Sequence, residues 1–151
     1  MAAKSSALRL GRFSEVGQVY LITTATQDRA TLFADFWTAR TCISELRRCD
    51  QFGRCETLAY VLMPDHLHWL VQLSEGQLHE LVRNFKASSS RAINEMHNTA
   101  GRQRWQTGYH DRTIRDDQEL KVAARYLVAN PLHAGLVERL ADYPHWDATW
   151  I

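Results

Sequence analysis

Cysteine, proline and long apolar runs are all scarce in this sequence, and each scarcity removes a class of protein. The three cysteines, Cys42, Cys49 and Cys55, are an odd number, and the first two fall in an apolar helical pattern rather than at paired metal-ligand spacing. A disulfide framework and a zinc ribbon are therefore poor readings, and the thiols read as reduced. The three prolines, Pro64, Pro131 and Pro144, stand singly where elements could end, with no linker-like composition and no internal repeat. One domain is expected over residues 1–151, with an arm at 1–16 and a tail at 138–151. A chain of this size can bury roughly 70% of its unfolded surface without cross-links. No stretch approaches the ~20 apolar residues that span a bilayer, and residues 1–12 lack the apolar core of a secretory signal. A cytoplasmic location with no membrane partner is expected. A glycine-rich phosphate cradle is also missing, which removes ATP-driven chemistry of that kind.

The net charge of +1 hides an uneven distribution. Residues 1–82 carry 8 basic and 9 acidic side chains, residues 83–115 carry 7 and 2, and residues 116–151 carry 3 and 6. A middle segment at +5 thus stands between parts at −1 and −3. Such a segment suits a polyanion, and it is equally the pattern of a solvated helix face.

Periodicity supplies the elements. Residues 18–26 (QVYLITTAT) are β-branched and aromatic with rough alternation, and residues 36–48 carry apolar side chains at helical spacing. Residues 57–63 and 66–73 are two further strand-like runs joined by Pro64-Asp65, a pair that favours a turn. Residues 78–97 repeat Leu78, Leu81, Val82, Phe85, Ile93 and Met96 on a helical period. A short strand is expected around 109–114, and Asp116 and Asp117 precede a helix over 119–129 that Asn130-Pro131 stops. The order β-α-β-β-α-β, followed by a terminal helix and tail, predicts an α+β, ferredoxin-like fold: an antiparallel sheet with helices on one face and the other face free for a site.

Two constellations carry chemistry. On a strand, His66 and His68 project from one face while Leu67 points away, so two imidazoles can chelate one divalent ion. The same spacing also arises by chance or as a hydrogen-bonded surface pair. Tyr126 and Asn130, four apart on a helix, face one way. The phenol can attack phosphorus and the amide oxygen can enter a metal shell, yet Tyr126 among Ala123, Leu127 and Val128 also reads as a core tyrosine, and Asn130 before Pro131 as a helix cap. His110, His133 and His145 form no second cluster and read as surface or packing residues.

Residues 60–73 (YVLMPDHLHWLVQL), the Trp105-Gln106 pair with residues 109–115 (YHDRTIR), residues 125–137 (RYLVANPLHAGLV) and the opening 9–17 (RLGRFSEVG) together resemble the REP-associated tyrosine transposases. These are bacterial relatives of the single-tyrosine insertion-sequence transposases within the HUH nuclease superfamily. The resemblance implies a metal held by His66 and His68, a nucleophile at Tyr126 and a third ligand at Asn130, where relatives more often place glutamine. It also implies attack by Tyr126 to give a 5′-phosphotyrosine link and a free 3′-hydroxyl, so that strand transfer retains the bond energy. A free phenol, with an ordinary pKa near ~10, needs a cation or base to become nucleophilic. Mg²⁺ or Mn²⁺ would suit, with the imidazoles favouring Mn²⁺.

The substrates implied are single-stranded or hairpin DNA of the REP and BIME repeat type. Arg83, Lys86, Arg91, Arg102, Arg104, Arg112 and Arg115, with Trp105 and Tyr109 interleaved, offer charges for phosphates and rings for bases. Arg9 and Arg12 of the arm are further candidates. The apolar tail 143–151 (YPHWDATWI) is expected to dock on its own domain or on a second copy by exchange, leaving monomer and homodimer open. Two other readings compete with the transposase: a catalytically idle hairpin-binding protein or repressor, and a phosphodiesterase that uses water in place of Tyr126.

Overall fold

The computed structural model describes residues 14–149. Its centre is a five-stranded antiparallel sheet of β1 (Val19–Ala25), β2 (Cys55–Met63), β3 (His66–Leu73), β4 (His110–Ile114) and β5 (Trp146–Ala148), in the order β4-β1-β3-β2-β5. Helix α1 (Phe36–Gln51) joins β1 to β2, and α2 (Leu78–His97) lies between β3 and β4. After β4 come α3 (Asp117–Val128) and the single turn α4 (Asn130–His133). The β-α-β-β-α-β order read from periodicity is the order observed.

Side chains at the helix starts explain the boundaries, because the first backbone N–H groups of a helix have no partner inside it. The Asp35 carboxylate accepts from the Thr38 N–H at 2.9 Å and the Asp116 carboxylate from the Glu119 N–H at 2.8 Å. Gln77 and Glu80 cap α2 reciprocally, and Asn98, at φ 57°, ends it in the left-handed region.

Alternation along the strands divides the core in two. Tyr20, Ile22, Leu62, Leu67, Trp69 and Val71 meet Cys42, Ile43 and Leu46 of α1 and Phe85 and Ile93 of α2. The opposite alternation, Ala59, Val61, Met63 and Leu70, packs beneath Ala123, Ala124, Leu127 and Val128 of α3. This second layer corrects the expectation of a free face: α3 covers its β2 side and leaves the β1 and β4 side as an open cavity.

The described part of the tail docks on its own domain. Strand β5 pairs with β2 through Ala59–Ala148 and Val61–Trp146. The Tyr143 hydroxyl donates to the Leu62 carbonyl at 2.5 Å, and the Thr149 hydroxyl donates to that of Leu58 at 3.0 Å. All three cysteines are buried and free, and burial pushes the Cys49 thiol up to about 11, in keeping with inert thiols. Among the described residues no helix is long and apolar enough to cross a membrane.

Candidate active site and nucleic-acid interface

Strand β3 delivers His66 and His68 to the α3 face as the alternation requires, with ring centroids 4.8 Å apart and ring planes perpendicular. Each ring is fixed by a partner at Nδ1. His66 Nδ1 lies 2.7 Å from Asp65 Oδ1, and His68 Nδ1 lies 3.0 Å from the Thr23 hydroxyl of β1. In the tautomer with the proton on Nδ1, His66 donates to the carboxylate and His68 to the hydroxyl, and both Nε2 lone pairs are left for a cation. Burial, and secondarily His66, push the His68 imidazole down to about 4, so it is neutral at neutral pH, the form a metal requires.

Asp65 is itself braced. Arg29 Nε donates to its second carboxylate oxygen at 3.0 Å. Burial works to raise the Asp65 pKa, but the hydrogen bonds and charges of His66 and Arg29 together outweigh it and hold the group below the usual carboxylate range. Arg29 and its neighbour Asp28 both adopt positive φ, at 52° and 57°. Two successive non-glycine residues in the left-handed region are strained, and the strain delivers the guanidinium to Asp65.

Tyr126 is no core side chain. It is 62% exposed, while Ala123, Ala124, Leu127 and Val128 take the buried face of α3. With Leu21, Thr23, His110, Arg112 and Val122 it lines a cavity of about 410 Å³ between α3 and the β1–β4 side of the sheet. Thr23 therefore touches His68 on one side and shares a cavity with Tyr126 on the other. Register explains His110: it pairs with Thr23, which pairs with His68, so all three face α3 along one row. His110 is exposed, as a surface reading expects, and the register adds that it lines the Tyr126 cavity. His133 stands 6.3 Å from the Tyr126 ring, and His145 is buried against Phe36 and Tyr143, away from the row.

Asn130 is both cap and candidate ligand. Pro131 has no N–H for the Leu127 carbonyl four residues back, and the Asn130 amide nitrogen donates to that carbonyl at 3.0 Å and to that of Tyr126 at 3.2 Å. Its Oδ1 is the remaining end. For a divalent cation the donor set fits in kind: two oriented imidazoles and an amide oxygen one helical turn beyond Tyr126. The described residues contain no cluster of three or more His, Cys, Asp or Glu, so amide and water oxygens would complete the shell.

The basic candidates separate into two places. Arg112 lines the Tyr126 cavity, and Arg115 follows β4. Arg83, Lys86, Arg91, Arg102 and Arg104 line a larger groove of about 980 Å³ between α2 and the segment 98–109. Lys86 donates to the carbonyls of Gln106 and Gly108 and so holds that segment. Trp105, expected to stack on bases, is 4% exposed; its indole donates to Ser89 Oγ at 3.0 Å and its ring packs between Phe33 and Phe85. It is a core residue. Arg9 and Arg12 lie outside the described residues. Thr23, Asp65 and Arg29 had no signal in the sequence beyond Asp65 preceding His66, because their roles depend on cross-strand pairing and on a strained turn.

Comparison with known proteins bears on the family and the fold. A REP-associated tyrosine transposase of Haemophilus influenzae is 26% identical over 139 residues, 85% of this chain and 78% of that protein. A solved REP-associated tyrosine transposase bound to a REP hairpin superposes with a TM-score of 0.72 at 19% identity, covering 89% of this chain and 79% of that one. A transposase structure from Deinococcus radiodurans gives a TM-score of 0.58 at 19% identity, covering 78% and 93%. The resemblance read from the motifs is thus borne out, and the likeness to these structures establishes the fold. The model of the IS200-like transposases matches residues 16–130, well over half of the sequence, and the chain belongs to that family.

Proposed function

We propose that this protein is a metal-dependent nickase and strand transferase for single-stranded DNA carrying hairpins, with Tyr126 as nucleophile. One observation carries the reading: an exposed tyrosine lines the same cavity as Thr23, whose hydroxyl holds His68. The hairpin substrate is supported by the solved relative bound to a REP hairpin.

His66 and His68 would hold a divalent ion through Nε2, with Asn130 Oδ1 as third protein ligand. When bound, such an ion supplies Lewis-acid polarisation of the scissile phosphate and favours the phenolate. The chain's own residues do the rest. Asp65 and Thr23 fix the imidazole tautomers and ring planes. Arg112 and His110, on the cavity wall facing Tyr126, offer donors to non-bridging phosphate oxygens. Tyr126 Oη forms a bond to phosphorus as the bond from phosphorus to the 3′ oxygen breaks. The phenolic proton is lost, and the departing 3′ oxygen takes one up to become a hydroxyl. The phosphotyrosine ester retains the energy of the broken bond, and attack by a 3′-hydroxyl reverses the step.

The test uses labelled hairpins with single-stranded flanks, incubated with protein and Mn²⁺ or Mg²⁺. A denaturant-resistant protein–DNA adduct that disappears with EDTA and with Tyr126→Phe is expected. Cleavage that survives Tyr126→Phe points to water as nucleophile, and binding with neither adduct nor cleavage points to an idle hairpin-binding protein.

A further inference from the structure

The orientation of His66 depends on more than its own strand. Its partner Asp65 is held by Arg29, which reaches it from a turn where Asp28 and Arg29 both stand at positive φ. The Arg29 side chain is 57% exposed. An ion pair that open contributes little if a free arginine must first be ordered, so its grip on Asp65 depends on the backbone already being in place. Left-handed backbone at two non-glycine residues persists only where the surroundings over-determine it.

The surroundings that do so belong to residues 103–106. The Gln27 N–H donates to the Arg104 carbonyl at 2.8 Å, the Gln106 N–H donates to the Ala25 carbonyl at 2.9 Å, and Thr26 and Trp105 form an antiparallel bridge. A side chain repeats the tie: Gln103 Nε2 donates to Gln27 Oε1 at 3.1 Å and to the Trp105 carbonyl at 3.0 Å. Thr26 in turn donates its N–H to the Asp65 carbonyl at 2.9 Å. One short stretch therefore touches both the segment that holds it and the residue that orients the histidine.

The segment has its own anchor in α2. Arg104 is only 8% exposed, and its Nε and Nη2 donate at 2.7 Å to Asn94 Oδ1 and Thr99 Oγ1. Asn94, in the last turn of α2, donates through Nδ2 to the Arg102 carbonyl at 2.8 Å. A guanidinium buried among neutral acceptors is costly, and what it secures is the backbone whose carbonyl receives Gln27.

We infer that Gln103 is a positioning residue for the His66 ring, acting through Gln27 and Arg29 on Asp65, from a segment that Arg104 ties to α2. Where Nε2 of that ring is to receive a cation, the role rests on the function proposed above. The orientation of the ring itself can be read without metal or DNA.

Gln103 is exposed, so Gln103→Ala keeps the wild-type urea midpoint. In metal-free protein the nitrogen NMR signal of His66 Nδ1 moves from its wild-type position in the direction it takes in Asp65→Ala. Mn²⁺ affinity, read by EPR without DNA, falls about 3-fold, within the range that one hydrogen bond is worth. Gln103→Lys, which keeps a donor, stays close to wild type. Added to Arg29→Ala, Gln103→Ala causes no further loss, because its effect travels through that arginine. A His66 signal and an affinity both unchanged in Gln103→Ala, or a loss that simply adds to that of Arg29→Ala, overturns the inference. Wild-type protein that binds no Mn²⁺ while the His66 signal moves as expected refutes the cation reading and leaves the positioning role standing.

Discussion

On the face of the sheet beneath α1 and α2, most positions of β1, β2 and β3 are aliphatic or aromatic, buried Thr24 being an exception, and the indole N–H groups buried on that side, those of Trp69 and Trp105, each meet a hydroxyl, of Thr57 and Ser89. On the other face, closed only where α3 lies, Thr23, His66 and His68 interrupt the aliphatic positions of the same strands. The first face is organised for burial. The second gives up some burial to hold polar groups in fixed tautomers, the kind of local rule-breaking expected where function rather than stability decided the residue. Substitutions should therefore divide sharply: on the first face they change stability, on the second they change chemistry.

The strongest way to break that division is Tyr126→Phe. Loss of the proposed nucleophile should reduce adduct formation on the order of 10³-fold or more. Because the side chain is mostly exposed, the urea midpoint should stay within the ±0.5 kcal/mol usual for surface changes. A large stability loss would mean that α3 depends on this ring for packing.

Trp105→Ala is the mirror experiment. Removing a buried aromatic from between Phe33 and Phe85 should cost about 3–5 kcal/mol in equilibrium unfolding. A variant of near-normal stability that had lost only DNA binding would return Trp105 to the interface.

These two side chains also show what could be read from sequence and what could not. The histidine pair at period two, the acidic start at Asp116, and the Asn130-Pro131 stop are local signals, and each appears in the structure where local geometry put it. Whether Tyr126 or Trp105 faces solvent depends on which side of a helix or loop meets a sheet, and no short window encodes that. The row His110–Thr23–His68 needs two strand pairings between residues 45 and 87 positions apart in sequence to bring it together. Strand β5, three residues long, is too short to show alternation, and it forms because the edge of β2 is open to it.

Asp65→Ala sharpens the comparison within the second face. It frees His66 Nδ1 and should weaken Mn²⁺ binding 10–100-fold, the usual range for partners that orient metal-bound histidines, as read by calorimetry or by the Mn²⁺ EPR signal without DNA present. Arg29→Ala, one step further out, should give a smaller loss in the same direction. An unchanged affinity in both would dismiss the chain from Arg29 through Asp65 to His66 as incidental.

The smallest effect concerns His145, buried between Phe36 and Tyr143 with its Nδ1 lacking a hydrogen-bond partner among the described residues. Burial, and then Arg40, hold its pKa below the ordinary value. The unfolded chain takes up a proton near pH ~6.5 that the folded chain resists, so its contribution is intact above that pH and is lost as pH falls below it. His68 acts in the same direction, so the measurement is a difference: the fall in urea midpoint from pH 7 to pH 5 should be smaller in His145→Gln than in wild type.

Asn130 gives the position after the helix that carries Tyr126 a two-ended requirement. Its nitrogen stands in for the N–H that Pro131 lacks, against the carbonyls of Tyr126 and Leu127, while its oxygen points a second way. An aspartate there would offer a cation more charge but would set that charge against the negative end of α3 and leave the Leu127 carbonyl without its donor. An amide serves where a carboxylate would not, and the proline beside it is the reason.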